Sequence, residues 1–270
     1  MCFKSQTYGK FAYNMAHSIR HYSDLPIHLI CDQSSISGID LSVFSSYDLM
    51  EFEKDELGRI DNCLAKVKLF ERTPFDETLY LDVDGVMLNN PETIFEELKG
   101  EKLFVHPMGK GGKNDNISYS WANNDVVWNK FGLKEDSIFN TCQTSIIYFT
   151  NDAEDFFVRL EENYKNKLSQ NEYREMWGRS NQHPDELYYS ITMAQMVIQP
   201  KEFRPVFFPE RLENISTIEN DYYVLSMYGG NNVKPYAKEL YDRIMRMVLK
   251  SKGHYYKIHN LYKNKFINIK

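Results

Sequence analysis

The residues with the clearest chemistry in this 270-residue chain are Asp82, Asp84 and the glycine after them. They close the run Thr78-Leu79-Tyr80-Leu81-Asp82-Val83-Asp84-Gly85-Val86-Met87, which is apolar, β-branched and aromatic until two carboxylates stand one residue apart. Two acids at the end of a buried strand cost too much to remain unpaired. The pattern therefore asks for a divalent cation, a shared proton or a cationic partner. A second set of residues suits an anionic ligand. Lys234 follows Gly229 and Gly230, where absent side chains let backbone N–H groups approach a phosphate while the lysine supplies charge. Lys66, on a helix, is either a phosphate contact or simply solvated. Asp185 and Glu186 follow a Trp177-Gly178 loop at a helix start. The helix dipole accounts for one acid easily; two make a reasonable base or acceptor site.

These residues need elements to hold them. The acidic run reads as a buried strand of a parallel sheet, with its carboxylates at the C-terminal edge where open α/β sheets bind ligands. Before it the spacing predicts a short strand over 3–7, a turn at Tyr8-Gly9, and a helix from Lys10 to His21 with Phe11, Met15 and Ile19 on one face. A strand over 26–32 follows, then a loop over 33–42, a strand from Tyr47 to Phe52, and a helix capped by Asp61. After it come a helix from Pro91 to Leu98, a strand over 102–106, a long loop over 109–125 and a strand over 143–149. Helices over 152–168, 184–196 and 235–250 and short strands at 204–208 and 222–227 complete the pattern. Strands and helices alternate through 1–106 and become mixed afterwards. That order predicts an α/β fold, a Rossmann-like nucleotide-binding half (1–106) merged with an acceptor half (107–249) in one domain with a mixed central sheet flanked by helices.

Composition narrows the function classes. A formal charge of −6 argues against a general nucleic-acid binder, which needs a basic face. Four scattered cysteines form no metal-binding spacing and suit a reducing compartment. No signal-peptide pattern and no run of about 20 apolar residues occurs, so the expectation is an intracellular, cytoplasmic protein. Residues 250–270 stand apart, with six lysines, no acid and interleaved aromatics. They read either as a solvated helix or as a segment that contacts an anionic membrane face or polyanion.

Two families share the Asp-x-Asp. Leu81-Asp82-Val83-Asp84-Gly85-Val86 resembles the opening motif of haloacid-dehalogenase-type phosphatases, in which the first Asp attacks phosphorus. That family carries the motif on its first strand and an acidic pair downstream, whereas here about eighty residues precede it and no Asp-Asp occurs. The wider surroundings resemble the family 8 glycosyltransferases, the glycogenin and lipopolysaccharide galactosyltransferase group with a GT-A fold. Tyr80-Leu81-Asp82-Val83-Asp84 is similar to that family's Tyr-Leu-Asp-x-Asp, and Leu64-Ala65-Lys66-Val67-Lys68-Leu69 to its helix bearing a basic residue, usually Arg. Gln143-Thr144-Ser145-Ile146-Ile147 resembles the Asn-Ala-Gly strand lining the sugar site. The run from Met227 to Tyr236 resembles the closing His-Tyr-x-Gly-x-x-Lys-Pro-Trp.

This resemblance, over residues 3–236, implies a transferase moving a hexose from a nucleoside-diphosphate sugar, a UDP-sugar first, to a saccharide or other hydroxyl acceptor. It implies Asp82 and Asp84 as ligands of Mn²⁺ or Mg²⁺, and Tyr8 stacked on the base. It assigns the donor to Lys66, Gln143, Gly229, Gly230 and Lys234, and the sugar or acceptor to Asp185 and Glu186. The sequence departs from the family at the closing His, replaced by Met227, and at Asp-Gln-Asp, of which only Asp185 matches. The metal would then rest on Asp82 and Asp84 with water, or recruit His254. A binding protein with degenerate catalysis is the alternative from another class.

Overall fold

Ser5 is extended (φ −162°) and ends the incoming segment, so that a helix can begin at the next residue. A computed structural model describes residues 1–3, 5–51, 53–54, 61–115, 121–175, 183–207, 222–227 and 235–248. The elements in chain order are α1 (Gln6–Tyr22), β1 (His28–Cys31), α2 (Gln33–Ile36), β2 (Ser46–Leu49), α3 (Asn62–Val67), α4 (Leu69–Arg72), β3 (Glu77–Leu81) and β4 (Gly85–Met87). They continue with α5 (Glu92–Glu97), β5 (Leu103–Gly111), α6 (Asn124–Phe131), β6 (Phe139–Thr150), α7 (Glu154–Lys165), α8 (Asp185–Gln195), β7 (Val206–Phe207), β8 (Val224–Ser226) and α9 (Pro235–Val248). Both parallel and antiparallel pairings occur, which makes this the expected mixed α/β architecture. No described helix is long and apolar enough to cross a membrane.

The chain forms two compact units, one from residues 1–51, 81–99 and 204–270 and the other from 52–80 and 100–203. In the first, β1 and β2 run parallel, β4 pairs antiparallel with β8, and β8 pairs parallel with β7. Its core joins Phe11, Ala12 and Ala16 of α1 to Leu29 and Cys31 of β1, Val86 of β4, Leu225 of β8 and Leu240, Tyr241, Ile244 and Met245 of α9. Each fully buried large side chain of this kind stabilises by about 1.5–3 kcal/mol.

Among the described residues the first expected strand does not form: Cys2 makes an isolated bridge, to Cys31, and Tyr8 and Gly9 lie inside α1. Gly9 is there for space and not for a turn. A Cβ at Gly9 would sit 1.9 Å from the Ser35 carbonyl oxygen, so α2 could not approach α1. Gly85 has the same role against β8, where a Cβ would lie 2.5 Å from the Leu225 oxygen. The acidic run is likewise not one strand. β3 ends at Leu81, β4 begins at Gly85, and the segment Asp82-Val83-Asp84 between them is irregular. β4 is antiparallel to its partner, contrary to the parallel expectation, and β3 is only partly buried.

The second unit orders its strands β3-β6-β5, with β5 and β6 antiparallel. α8 packs on β6, and α7 on α8 and α3. Aromatic side chains fill the space: Phe157 lies 5.4 Å from Phe70 and 4.8 Å from Phe149, and Phe156 lies 5.7 Å from Tyr189. The loop expected over 109–125 is shorter, because β5 runs on to Gly111 and α6 begins at Asn124.

Two helices of this unit end in a left-handed residue. α6 uses Gly132 (φ 63°), as such caps usually do. α8 ends with Val197 at φ 57°, 80% exposed, while the next N–H, of Ile198, closes back on the Met193 oxygen at 2.9 Å. A β-branched residue is strained there. Val197→Gly should raise unfolding stability by about 1 kcal/mol in urea titrations, since little packing is lost; a destabilised variant would contradict the strain.

Candidate functional site

In the second unit, three elements deliver polar side chains to the first turn of α8. Pro184 sits at the helix N-cap, with φ −72° and ψ 120°, and places Asp185 and Glu186 in that first turn. Lys66 lies in the last turn of α3, whose N-cap Asp61 accepts a hydrogen bond from the Leu64 N–H at 3.0 Å. β6 supplies Thr144 through an irregularity in the ladder. Val105 pairs with Ile147 but the next residue, His106, pairs with Gln143, so residues 144–146 are displaced from regular pairing.

Lys66 Nζ is 3.2 Å from Asp185 Oδ2 and donates to Thr144 Oγ1 at 3.2 Å and to the Thr144 carbonyl at 3.3 Å. Thr144 Oγ1 in turn donates to Asp185 Oδ2 at 2.5 Å. The lysine lies 5.7 Å from the Tyr80 ring centre, and the Tyr189 hydroxyl donates to the Lys66 carbonyl at 3.0 Å. Side-chain exposures of 16% and 14% for Lys66 and Asp185 take this pair out of the class of weak surface ion pairs.

Burial alone would raise the Asp185 carboxyl, but the Lys66 charge and the hydrogen bonds from Thr144 and Lys66 outweigh it and hold it below its ordinary value. Glu186 goes the other way. Burial and then the negative charge of Asp185 push it well above 4.5. Adjacent carboxyls driven apart in this manner give one ionised acceptor and one neutral acid, the division of labour found in acid–base sites.

Beneath this turn, Cys142 Sγ lies 3.5 Å from Ser190 Oγ, and Cys63 Sγ donates to the His183 carbonyl. His183 Nδ1 is 2.7 Å from the Tyr173 hydroxyl, which also meets that of Tyr188. The Tyr164 hydroxyl donates to both Asp61 carboxylate oxygens, at 2.6 and 2.7 Å. Such a packed polar floor fixes the backbone that carries Asp185.

Lys66, Asp185 and Glu186 are thus brought together. Gln143 is half-buried and precedes Thr144 in sequence, at the register shift, but Thr144 makes the contacts. Thr144 is the residue that sequence reasoning missed as a site member. Its signal was its place in the Gln143-Thr144-Ser145 run, which resembles a strand lining the sugar site.

In the first unit, Asp82 and Asp84 are half-buried. The Asp84 carbonyl accepts from the Met227 N–H at 2.8 Å, and the Asp84 charge also bears on the buried Tyr241 phenol, whose oxygen accepts from Asn14 Nδ2 at 2.8 Å. Met227 is fully buried in the apolar core. Tyr8 is half-buried and stacks with Phe3, ring centres 6.4 Å apart. Gly229, Gly230, Lys234, His254 and the segment 250–270 lie outside the described residues. Among those described, no three or more His, Cys, Asp or Glu side chains cluster as a metal cage.

No family model and no curated protein sequence matches the chain. Solved structures do. The apo WbbM bifunctional glycosyltransferase matches with a TM-score of 0.53 at 11% identity, over 97% of this chain and 50% of that one. An active-site mutant of LgtC matches at 0.52 and 12% identity, over 96% and 98% of the two chains. The galactosyltransferase LgtC in complex with donor and acceptor sugar analogues matches at 0.50 and 11%, over 91% and 94%. The chain has a glycosyltransferase fold of the GT-A kind. It spans about half the length of WbbM and nearly all of LgtC.

The two carboxyls of α8 give opposite pH dependences. Asp185, lowered from 3.8, contributes stability that is present at neutral pH and lost as pH falls through its folded value. Glu186, raised from 4.5, contributes stability that is complete below about that pH and lost as pH rises through its folded value. Glu186→Gln keeps the hydrogen bond without the charge. Its Tm should exceed wild type by about 3–5 °C at neutral pH, the gap closing below pH ~4.5; a gap that widens on acidification would contradict the assignment.

Proposed function

We propose that this chain is a glycosyltransferase that moves a hexose from a nucleoside-diphosphate sugar, a UDP-sugar first among candidates, to a hydroxyl of a saccharide or other acceptor. The observation that carries the reading is the GT-A fold over at least 91% of the chain, with an Asp-x-Asp between two of its strands. In the reaction the acceptor oxygen bonds to the anomeric carbon and the bond from that carbon to the diphosphate oxygen breaks. The acceptor proton needs a base, and the leaving diphosphate needs positive charge.

Asp82 and Asp84 are the residues that would hold the cation. Among the described residues their donor set is two carboxylates with no thiolate or imidazole, and Met227 is occupied in the core. That set fits Mn²⁺ or Mg²⁺, which take one or two carboxylates and complete their sphere with water and phosphate oxygens. When bound, the cation supplies Lewis-acid neutralisation of the departing diphosphate. Tyr8 offers a flat aromatic face to the base. Lys234, with Gly229 and Gly230, offers charge and backbone N–H groups to the phosphates. Lys66 holds Asp185 ionised and lends its charge to the donor, while Gln143 contacts the sugar. Asp185 accepts the hydroxyl proton or orients the sugar, and neutral Glu186 donates a hydrogen bond to it.

Residues 1–249 make up the transferase in this reading, and residues 250–270 a basic aromatic appendage that touches an anionic membrane face from the cytoplasmic side. A non-catalytic nucleotide-sugar binder is the second reading, favoured by the buried Met227 where a histidine would complete the metal site.

Turnover of a panel of UDP- and GDP-sugars, with and without Mn²⁺, tests the proposal. Wild type should hydrolyse or transfer one of them in a metal-dependent way, and Asp84→Ala should lose at least 100-fold in rate. Wild-type-like turnover in that variant would remove Asp84 from the metal, and tight binding with no turnover would favour the binder. Deletion from Lys252 should weaken sedimentation with anionic liposomes at low salt; unchanged sedimentation would remove the membrane role.

A further inference from the structure

Two of the four cysteines lie side by side in the first unit. Cys2 and Cys31 are paired residues of a parallel bridge, with the Cys2 N–H donating to the Ile30 oxygen at 2.9 Å and the Asp32 N–H to the Cys2 oxygen at 3.3 Å. Neighbouring strands lie about 4.8 Å apart, inside the Cα separation that a disulfide spans. Both residues are buried, at 1% and 0% exposure, and both are free thiols, that of Cys31 donating to the Asp48 carbonyl oxygen at 3.5 Å. Nothing in the proposed transfer reaction uses them. Cys63 and Cys142, by contrast, belong to the other unit and are engaged with the His183 carbonyl and Ser190.

We propose that Cys2 and Cys31 are a redox-active pair that closes to an intrachain disulfide under a thiol–disulfide oxidant of the glutathione-disulfide class. One thiolate attacks the oxidant, forming a mixed disulfide and releasing one glutathione thiolate. The second cysteine then attacks the protein sulfur of the mixed disulfide and releases the other. The two protein thiols give up two electrons and two protons, and the oxidant becomes two thiols. Cys31 is the better first nucleophile, because the neighbouring Cys2 thiol lowers its pKa against the effect of burial, while Cys2 is raised. Access comes from local opening of the segment before α1, which the two backbone bonds hold to β1. Closure would fasten that segment, with Phe3 stacked on Tyr8, to β1 and so stiffen the start of α1. The pairing stands independently of the transferase reading.

The full chain is incubated with glutathione disulfide, quenched with iodoacetamide, denatured, alkylated with a second isotopically distinct reagent, and mapped by non-reducing mass spectrometry. The expected product is a peptide pair joining Cys2 to Cys31, two hydrogens lighter, reversed by dithiothreitol, with Cys63 and Cys142 still alkylated. The oxidised chain should melt about 5 °C higher than the reduced one, and the increment should vanish on reduction. The proposal is overturned by glutathione retained on Cys31 with Cys2 free. It is equally overturned if both cysteines remain alkylated under conditions that fully oxidise a control dithiol peptide.

Discussion

The ion pair between Lys66 and Asp185 is the interaction on which the catalytic reading depends. Each group is largely withdrawn from water, and neither charge is tolerable there without the other. The pair therefore couples three elements: the end of α3, the start of α8 and the displaced part of β6 that offers Thr144. It also bears on its neighbour, since burial and then the negative charge of Asp185 raise the Glu186 carboxyl well above its ordinary value. Removal of the lysine would leave the buried Asp185 carboxylate without its ion-pair partner.

Part of this was legible in the sequence. Asp185 stood at a helix start where its charge suits the dipole, Lys66 was visible only as a lysine on a helix, and Asp61 was visible as the cap of that helix. What the sequence could not carry was their partnership. Lys66 and Asp185 are separated by well over a hundred residues, and no periodicity links them. The displacement at residues 144–146 is set by strand pairing with β5, a tertiary fact, so Thr144 read only as part of a run resembling a sugar-site strand and not as the partner of Lys66.

The same distinction explains the errors in the fold. Tyr8-Gly9 looked like a turn because glycine commonly marks one, yet here glycine answers the close approach of α2, twenty-odd residues onward. The acidic run looked like one parallel strand because its apolar character is continuous, but the chain passes from one compact unit to the other at Tyr80–Leu81 and the strand breaks just after. The chain crosses between the units after Glu51, Tyr80, Lys99 and Phe203. Long, strongly patterned helices such as α7 and α8 were recognisable, since their burial pattern is local, whereas β6 begins at Phe139, four residues before the expected strand.

The central claim, that Lys66 holds Asp185 ionised beside a neutral Glu186, is most directly tested by titrating carboxyl ¹³C resonances of the labelled protein, with Asp185→Asn and Glu186→Gln used for assignment. The account predicts two well-separated steps, one below 3.8 and one well above 4.5, converging when Lys66 is replaced by Met. A single merged transition near pH ~4 in the wild-type protein, unmoved by Lys66→Met, would contradict it.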